Sequence, residues 1–322
     1  MIVVSQGHEK GVGLEVLLKA LLVAPAAWSA QVRLHADRTT VARHLKALKI
    51  DASMNEQGVD FAGLRLACRW VTRSTLPQST TALLSAMEEQ QAGDVLFTLP
   101  TTKDDLRDPR HPRRRYLGHT EFLRAHHRAP ELGMFFTAPG LHALLLTDHI
   151  PLADVSNALT GRAFTAKFES SLKELALLEP TIKRAVVAGI NPHAGEGGLL
   201  GREEMRLTPA LQKLRAKHRR CRIEGFFPGD TLIGQRRDAS DLLVYLHHDQ
   251  GLAPFKALRG TLGANVTLGL PRLRLSVDHG TAFALYGKNM ADHRGAYFCL
   301  RQALVYQERL GGKNRRQQGA GS

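Results

Sequence analysis

The chain has 322 residues, 43% of them hydrophobic, which is enough for one large or two medium domains with ordinary cores. Its three cysteines, Cys68, Cys221 and Cys299, are odd in number and far apart. That excludes a disulfide framework and a Cys-x-x-Cys zinc site and points to a reducing, cytoplasmic setting. With 44 basic against 30 acidic residues the formal charge is +14, which favours anionic partners; because aromatics are only 6%, an anionic small molecule is expected and nucleic acid is not.

Strand and helix signals alternate along the chain. Residues 2–5 read as a first strand rather than a secretory leader. The apolar run after them is broken by Lys19 and Pro25, so it reads as a helix over 14–22 and not as a membrane span. A strand over 31–35 and a helix over 38–48 follow. Ser79 is placed to cap a helix that runs to residue 91, ahead of a strand over 94–97. Arg113, Arg114 and Arg115 then form a basic cluster, and Thr120 is placed as a helix N-cap. Strands are expected over 134–137 and 143–147, and a helix over 165–178 that stops before Pro180. Residues 184–188 are a short apolar run and read as a buried strand, followed by a helix over 207–218. Strands over 242–246, 265–268 and 273–277 and a helix over 292–310 complete the series. The tail, 311–322, has one alanine as its only apolar residue and is expected to be disordered. This order predicts an α/β fold with a parallel or mixed sheet.

The most informative stretch is Asn191-Pro192-His193-Ala194-Gly195-Glu196-Gly197-Gly198, where a strand hands over to a helix. Glycines there allow a sharp turn and close approach to a ligand, and crevices of α/β sheets lie at the carboxyl ends of strands. His149 and His248 also come directly after strand signals. Three imidazoles at such positions are what an open divalent-metal site needs, although any one of them alone is more simply structural; His247 competes with His248. Lys256, Asn265 and Arg274 carry groups that hold phosphate or carboxylate. Gly7-His8-Glu9-Lys10-Gly11-Val12-Gly13 lacks the Gly-x-Gly-x-x-Gly spacing and reads as a tight turn. Asp278-His279-Gly280-Thr281-Ala282 has small residues that admit a flat ligand.

Together these motifs resemble the 4-hydroxythreonine-4-phosphate dehydrogenase family of vitamin B6 synthesis, from the first strand to about Ala291. The most specific pieces are residues 191–198 with Gly201-Arg202-Glu203-Glu204, and His248-Asp249-Gln250-Gly251-Leu252 with Lys256. Gly118-His119-Thr120-Glu121-Phe122-Leu123, Asn265-Val266-Thr267-Leu268-Gly269-Leu270-Pro271 and Ser276-Val277-Asp278-His279-Gly280-Thr281-Ala282 also match. The resemblance implies a fold like isocitrate and isopropylmalate dehydrogenases: two α/β domains with mostly parallel or mixed sheets flanking a cleft. The first would be 1–130 plus 262–322 on the cofactor side, and the second 131–261 on the metal and dimer side.

By the same resemblance, His149, His193 and His248 bind a divalent metal, zinc first, with Mg2+ or Co2+ as alternatives. His119, Thr120, Lys256, Asn265 and Arg274 bind the phosphorylated substrate. His279, Gly280, Thr281 and Ala282 lie at the adenosine of NAD or NADP, and Asp249, Lys256 and Asp230 are the candidate proton acceptors. The active site is shared across a homodimer. The implied reaction is oxidation of 4-hydroxythreonine-4-phosphate to a 3-oxo acid that decarboxylates. The alternatives are a dehydrogenase of 4-phosphothreonate or 4-phosphoerythronate, or a non-catalytic paralogue that binds metal and phosphate. Three departures stand out. The family's first turn reads Gly-Asp-Pro-Ala-Gly-Ile-Gly-Pro-Glu where this chain has residues 7–15; a tyrosine is usual at His247 and an acid at Ala284.

Overall fold

The computed structural model describes residues 1–72 and 74–319, with side chains through residue 312. The chain divides into two compact units, residues 1–128 with 270–322, and residues 129–269. The first unit contains β1 (Ile2–Ser5), α1 (Gly13–Val23), β2 (Val32–Ala36), α2 (Arg38–Ala47), β3 (Ala52–Asn55), β4 (Gly58–Phe61), β5 (Leu64–Trp70), α3 (Gln78–Glu89), β6 (Val95–Thr98) and α4 (His119–His127). The second contains β7 (Gly133–Ala138), β8 (Leu141–Leu145), α5 (Val155–Ala158), α6 (Gly161–Leu178), β9 (Arg184–Ala188), α7 (Glu203–Lys217), β10 (Arg222–Phe227), β11 (Asp241–Tyr245), α8 (His248–Arg259) and β12 (Ala264–Leu268). The chain then returns to the first unit with β13 (Arg274–Val277) and α9 (Arg294–Gly319).

In the first unit the strand order is β13-β6-β1-β2-β5-β4-β3, parallel from β13 to β5 and antiparallel in the β5-β4-β3 meander. Val3 and Leu96 pack one face of this sheet against Leu83, Ala86 and Met87 of α3 and Phe122 and Leu123 of α4. In the second unit the order is β10-β9-β11-β8-β7-β12, parallel from β10 to β8 and antiparallel through β7 to β12. Met134, Phe136, Leu145, Val186, Leu243 and Tyr245 pack on Leu252 and Phe255 of α8. Every residue of β9 and β11 is buried, as strands covered on both faces must be.

The alternation of strands and helices is present, and five local expectations are corrected. The β3–β5 meander was not anticipated, because its strands alternate buried and exposed residues and carry Ser, Asn, Asp and Gly. Ser79 lies inside α3, whose N-cap position is Pro77. Thr120 is the second residue of α4 and is buried; Gly118 holds the cap position, and Leu117 N–H donates to the Glu121 carboxylate at 2.5 Å. Residues 262–269 fall in the second unit because β12 pairs with β7. Finally, α9 continues through Gly319 where disorder was expected; residues 320–322 lie outside the described residues.

None of the three cysteines is in a disulfide; Cys68 and Cys299 are buried, and burial pushes the Cys68 thiol up to about 12 and the half-buried Cys221 up to about 11. Among the described residues no helix is long and apolar enough to cross a membrane.

Arg184, at the start of β9, ties three strands together. Its guanidinium donates to Glu224 of β10 and, at 2.7 Å, to Asp241 of β11, and both acids are largely shielded from solvent. Asp241 also accepts Arg237 N–H at 2.7 Å. Asp241→Ala leaves Arg184 paired with Glu224 and takes the acceptor from Arg237 N–H, so it is expected to cost about 1–3 kcal/mol of the second unit's stability in urea unfolding. Hydrogen bonds from Arg184 hold the Glu224 carboxyl below its ordinary 4.5. A depressed carboxyl stabilises the fold above its unfolded value and stops doing so as pH falls through the folded one. The unfolding midpoint is therefore expected to drop steeply below about pH 4.5, and this drop is expected to be smaller in Glu224→Gln.

Candidate functional site

Parallel pairing of β9, β11 and β8 brings their carboxyl ends to one edge of the second unit, and the three following segments carry His193, His248 and His149. Because β11 lies between the other two, His248 is next to both neighbours, while the loops after β9 and β8 are two strands apart, roughly 10 Å. The structure brings His149 and His248 together, with ring centroids 5.1 Å apart. They line a cavity of about 200 Å³ with Asp148, His247 and Asp249. His248 begins α8, and His247 caps it by accepting Gln250 N–H on Nδ1. That cap occupies His247 and leaves His248 as the histidine facing His149. Asp249 Oδ1 sits 2.7 Å from His248 Nδ1, the contact that fixes the ring and leaves Nε2 for a ligand.

His193 lies in a different cavity, of about 510 Å³, with Asn191, Asp230, Gln250 and Pro254. Its side chain is 69% exposed. Among the described residues no group of three His, Cys, Asp or Glu converges as a ligand set. The expected three-histidine site is thus not assembled within one chain. His149 and His248, with Asp148 and Asp249 on the same wall, are side chains of the types that divalent cations take as ligands.

The His193 loop has an unusual backbone. His193, Ala194, Gly195, Glu196 and Gly197 have φ of 52°, 52°, 81°, 44° and 65°. Three of these carry a Cβ in the left-handed region, at roughly 1–2 kcal/mol each. The buried Glu204 carboxylate holds the loop: Oε1 accepts Ile190 N–H at 2.7 Å and Asn191 N–H at 2.8 Å, and Oε2 accepts the Asn191 amide at 3.0 Å. A Cβ on Gly195 would lie 2.6 Å from Glu204 Oε2, so glycine is required there. Gln250 joins the two histidine segments by donating to Gly189 O at 2.6 Å and accepting Leu246 N–H at 2.9 Å. Both residues stand in the motifs that the sequence singled out, but their roles are set by strand order and were not readable from it.

A separate cradle forms in the first unit. Arg274, at the start of β13, is buried and donates to Thr98 Oγ1 from Nε at 2.9 Å and from the terminal nitrogen at 2.6 Å. Burial pulls its value down to about 9, and burial together with the Arg274 charge holds His119 well below the usual imidazole value. His119 and Thr120 open α4, whose N-terminal end favours an anion. A desolvated guanidinium and a neutral imidazole at the start of a helix have the charge and dipole that suit an anion. The other two expected substrate residues are in the second unit. Lys256 is on the exposed face of α8, and Asn265 is on β12 with Oδ1 buried and without a hydrogen-bond partner. Their equal nine-residue spacing from Asn265 to Lys256 and Arg274 therefore carries no periodic meaning, since it crosses helix, strand and strand.

After β13, residues 279–282 pack against the first turn: Val12 N–H donates to Thr281 O at 3.0 Å, and His279 Nδ1 lies 3.0 Å from Gly280 O. Ala282 is left-handed, and nothing lies within 4 Å of where a Gly280 Cβ would be. His8, where the resembled family has an acid, packs edge-on against Phe283 at 4.7 Å and faces Asp105 at 3.4 Å. A carboxylate therefore returns to this turn from the neighbouring loop. Glu15 is buried, accepting Lys19 at 3.0 Å and Ala291 N–H at 2.9 Å.

Glu204→Gln puts an amide against N–H donors. We expect the Ile190 and Asn191 amides to exchange at least about tenfold faster, equivalent to about 1.4 kcal/mol, by hydrogen-exchange mass spectrometry, with the strands unaffected. Unchanged exchange would show that the carboxylate does not hold the loop.

The sequence profile of the pyridoxal phosphate biosynthetic protein PdxA matches residues 20–303. A D-threonate 4-phosphate dehydrogenase of Cupriavidus necator is 36% identical over 261 residues, covering 79% of this chain and 74% of the relative. A 4-hydroxythreonine-4-phosphate dehydrogenase of Janthinobacterium is 33% identical over 327 residues, 91% of this chain and 92% of that one. Among solved structures, a 4-hydroxythreonine-4-phosphate dehydrogenase from Burkholderia phymatum superposes with a TM-score of 0.72 at 29% identity, covering 95% of this chain and 97% of that one. One from Klebsiella pneumoniae does so with a TM-score of 0.75 at 27% identity, over 95% and 99%. The chain belongs to the PdxA family of pyridoxal phosphate biosynthetic proteins.

Proposed function

We propose that this protein is a metal-dependent, NAD(P)-linked dehydrogenase that oxidises 4-hydroxythreonine-4-phosphate at its C3 hydroxyl, in the cytoplasm. The observation that carries this reading is the buried Arg274 beside a neutral His119 at the start of α4, an anion cradle suited to a phosphate. The names of the relatives, which act on 4-phosphates, support it. The first unit is the cofactor side, with His279, Gly280, Thr281 and Ala282 at the adenosine, and the second is the metal and dimer side.

In this mechanism His119, Thr120 and Arg274 hold the phosphate, while Lys256 and the unsatisfied Asn265 Oδ1 orient the rest of the substrate. A divalent ion, zinc first, held by His149, His193 and His248, would lower the pKa of the hydroxyl bound to it. Asp249 orients His248 through the 2.7 Å contact, so proton acceptance falls to Asp230 or Lys256. The nicotinamide, when bound, would accept the hydride from C3, and the resulting 3-oxo acid would then lose carbon dioxide.

The family resemblance has His248 and the segment after it reaching the neighbouring chain's cleft; because His149 and His248 pair within one chain, we infer instead that His193 reaches the site from a second copy. The support is that one chain pairs only His149 with His248, while Leu152, Leu199, Leu200 and Met205 are exposed on segments linked through Ser156, Glu203 and Arg206. Mixing inactive His193→Ala with inactive His248→Ala is expected to restore activity, because one site in each mixed dimer regains all three histidines. A mixture that stays dead at concentrations where the protein is dimeric would reject the shared site.

A second reading, oxidation of D-threonate 4-phosphate, is favoured by the Cupriavidus relative. The two substrates differ at C2, amine against hydroxyl, and nicotinamide reduction with each, with metal and with both cofactors, separates them. Absence of turnover with every substrate would favour the non-catalytic paralogue. Arg274→Ala is expected to raise KM for the phosphorylated substrate about tenfold or more, by loss of a charge-assisted contact of about 1.5–3 kcal/mol. Unchanged KM would remove Arg274 from the phosphate site.

A further inference from the structure

We propose that the second unit carries another binding site, for a small soluble anionic amphiphile, at the amino-terminal ends of β9 and β10. A cavity of about 700 Å³ opens there between α6, the turn that leads into β9, and the end of α7. This is within the range, about 300–1,000 Å³, that holds small organic ligands. Its floor is apolar, formed by the buried Leu172, Leu175 and Ile182. Its rim is cationic, with Lys173, Lys183, Lys217, Arg219 and Arg220. Glu169 accepts Lys173 at 2.8 Å and Lys217 at 2.6 Å, which leaves those two cations compensated. Among the described residues Lys183, Arg219 and Arg220 have no carboxylate within ion-pair distance. Apolar floor and uncompensated cationic rim together match one acidic head on an apolar body of a few to about a dozen carbons.

The cavity is remote from the proposed chemistry. His193 follows the carboxyl end of β9, whereas this cavity precedes Arg184 at the strand's other end. Five residues of strand, roughly 16 Å, lie between them. Ligand here would therefore bind together with substrate and not in its place. It would brace α6 against α7, the helix whose Glu204 holds the His193 loop.

Titration calorimetry of the full chain with decanoate tests the proposal, with decanol as the apolar-only probe and inorganic phosphate as the head-only probe. Saturable binding of one decanoate is expected, with decanol and inorganic phosphate each at least about tenfold weaker. The double variant Lys183→Glu with Arg220→Glu is expected to weaken decanoate at least about tenfold. Ala176→Trp, an exposed α6 position on the cavity wall, is expected to abolish binding by filling it. Unchanged far-ultraviolet dichroism and melting in these variants show that they fold. The proposal is overturned by any of three results: no saturable decanoate binding to the native chain, decanol binding as tightly as decanoate, or decanoate binding unchanged in both variants. Inorganic phosphate binding as tightly as decanoate would make this a plain anion site and overturn the amphiphile. Co-sedimentation with anionic phospholipid vesicles would assign the face to a membrane instead. None of these outcomes depends on dehydrogenase activity.

Discussion

The carboxylate of Glu204 is the interaction on which the histidine edge depends. Three N–H donors from Ile190 and Asn191 converge on it, and it sits buried where the chain leaves β9. Without a charged acceptor at that point, a run of five left-handed residues has nothing to offset its strain. The loop explains why a histidine, an alanine and a glutamate occur among glycines. Gly195 has to admit the carboxylate edge, and His193 is carried outward by backbone geometry and not by side-chain packing. Gln250 then couples this loop to the start of α8, so His193 and His248 are set by one hydrogen-bonded frame even though they line different cavities.

The two anion-oriented features of the chain are built by opposite means. Arg274 is desolvated and tethered to Thr98, and its charge together with burial keeps the His119 imidazole neutral. The basic residues of 107–115 are exposed on an ordered loop. Arg115 pairs with Asp104, Arg114 lies over the Tyr116 ring at 5.2 Å, and Tyr116 donates to Asp108 at 3.0 Å. Those charges raise the local potential and are screened by salt, whereas the buried guanidinium is not. The net charge of +14 therefore overstates how much of the positive charge serves recognition.

Much of this was legible in the sequence, and the exceptions share causes. β9 and β11 were readable because strands covered on both faces are unbroken apolar runs. The β3–β5 meander was not, because an edge exposed on one side mixes polar residues and turn formers into its strands. α8 was not read as a helix because Gly251 and Pro254 fall inside it, and α7 was started late because of Pro209; each proline is the seventh residue of its helix and removes one intrahelical hydrogen bond. The positions of His149, His193 and His248 after the carboxyl ends of strands were legible. Which histidines meet was not, because it follows from β11 lying between β9 and β8, and spacing along a chain does not encode strand order. Likewise His247 and His248 look equivalent as letters, and only the helix cap tells them apart.

The discontinuous first unit has a consequence for how the chain acquires its structure in time. Residues 129–269 are contiguous, so their sheet can close as soon as β12 has been made. The first sheet lacks its outer strand until residues 274–277 pair with β6, and its helical cover until α9 packs across β13, β6 and β1. During synthesis, therefore, the later-encoded unit matures first. The earlier-encoded one waits, with the β6 edge open, for nearly the whole polypeptide to emerge. Edges left open in this way are where kinetic traps and off-pathway pairing arise. Arg274, the residue that shapes the anion cradle, is also the first residue of the strand that ends that exposure.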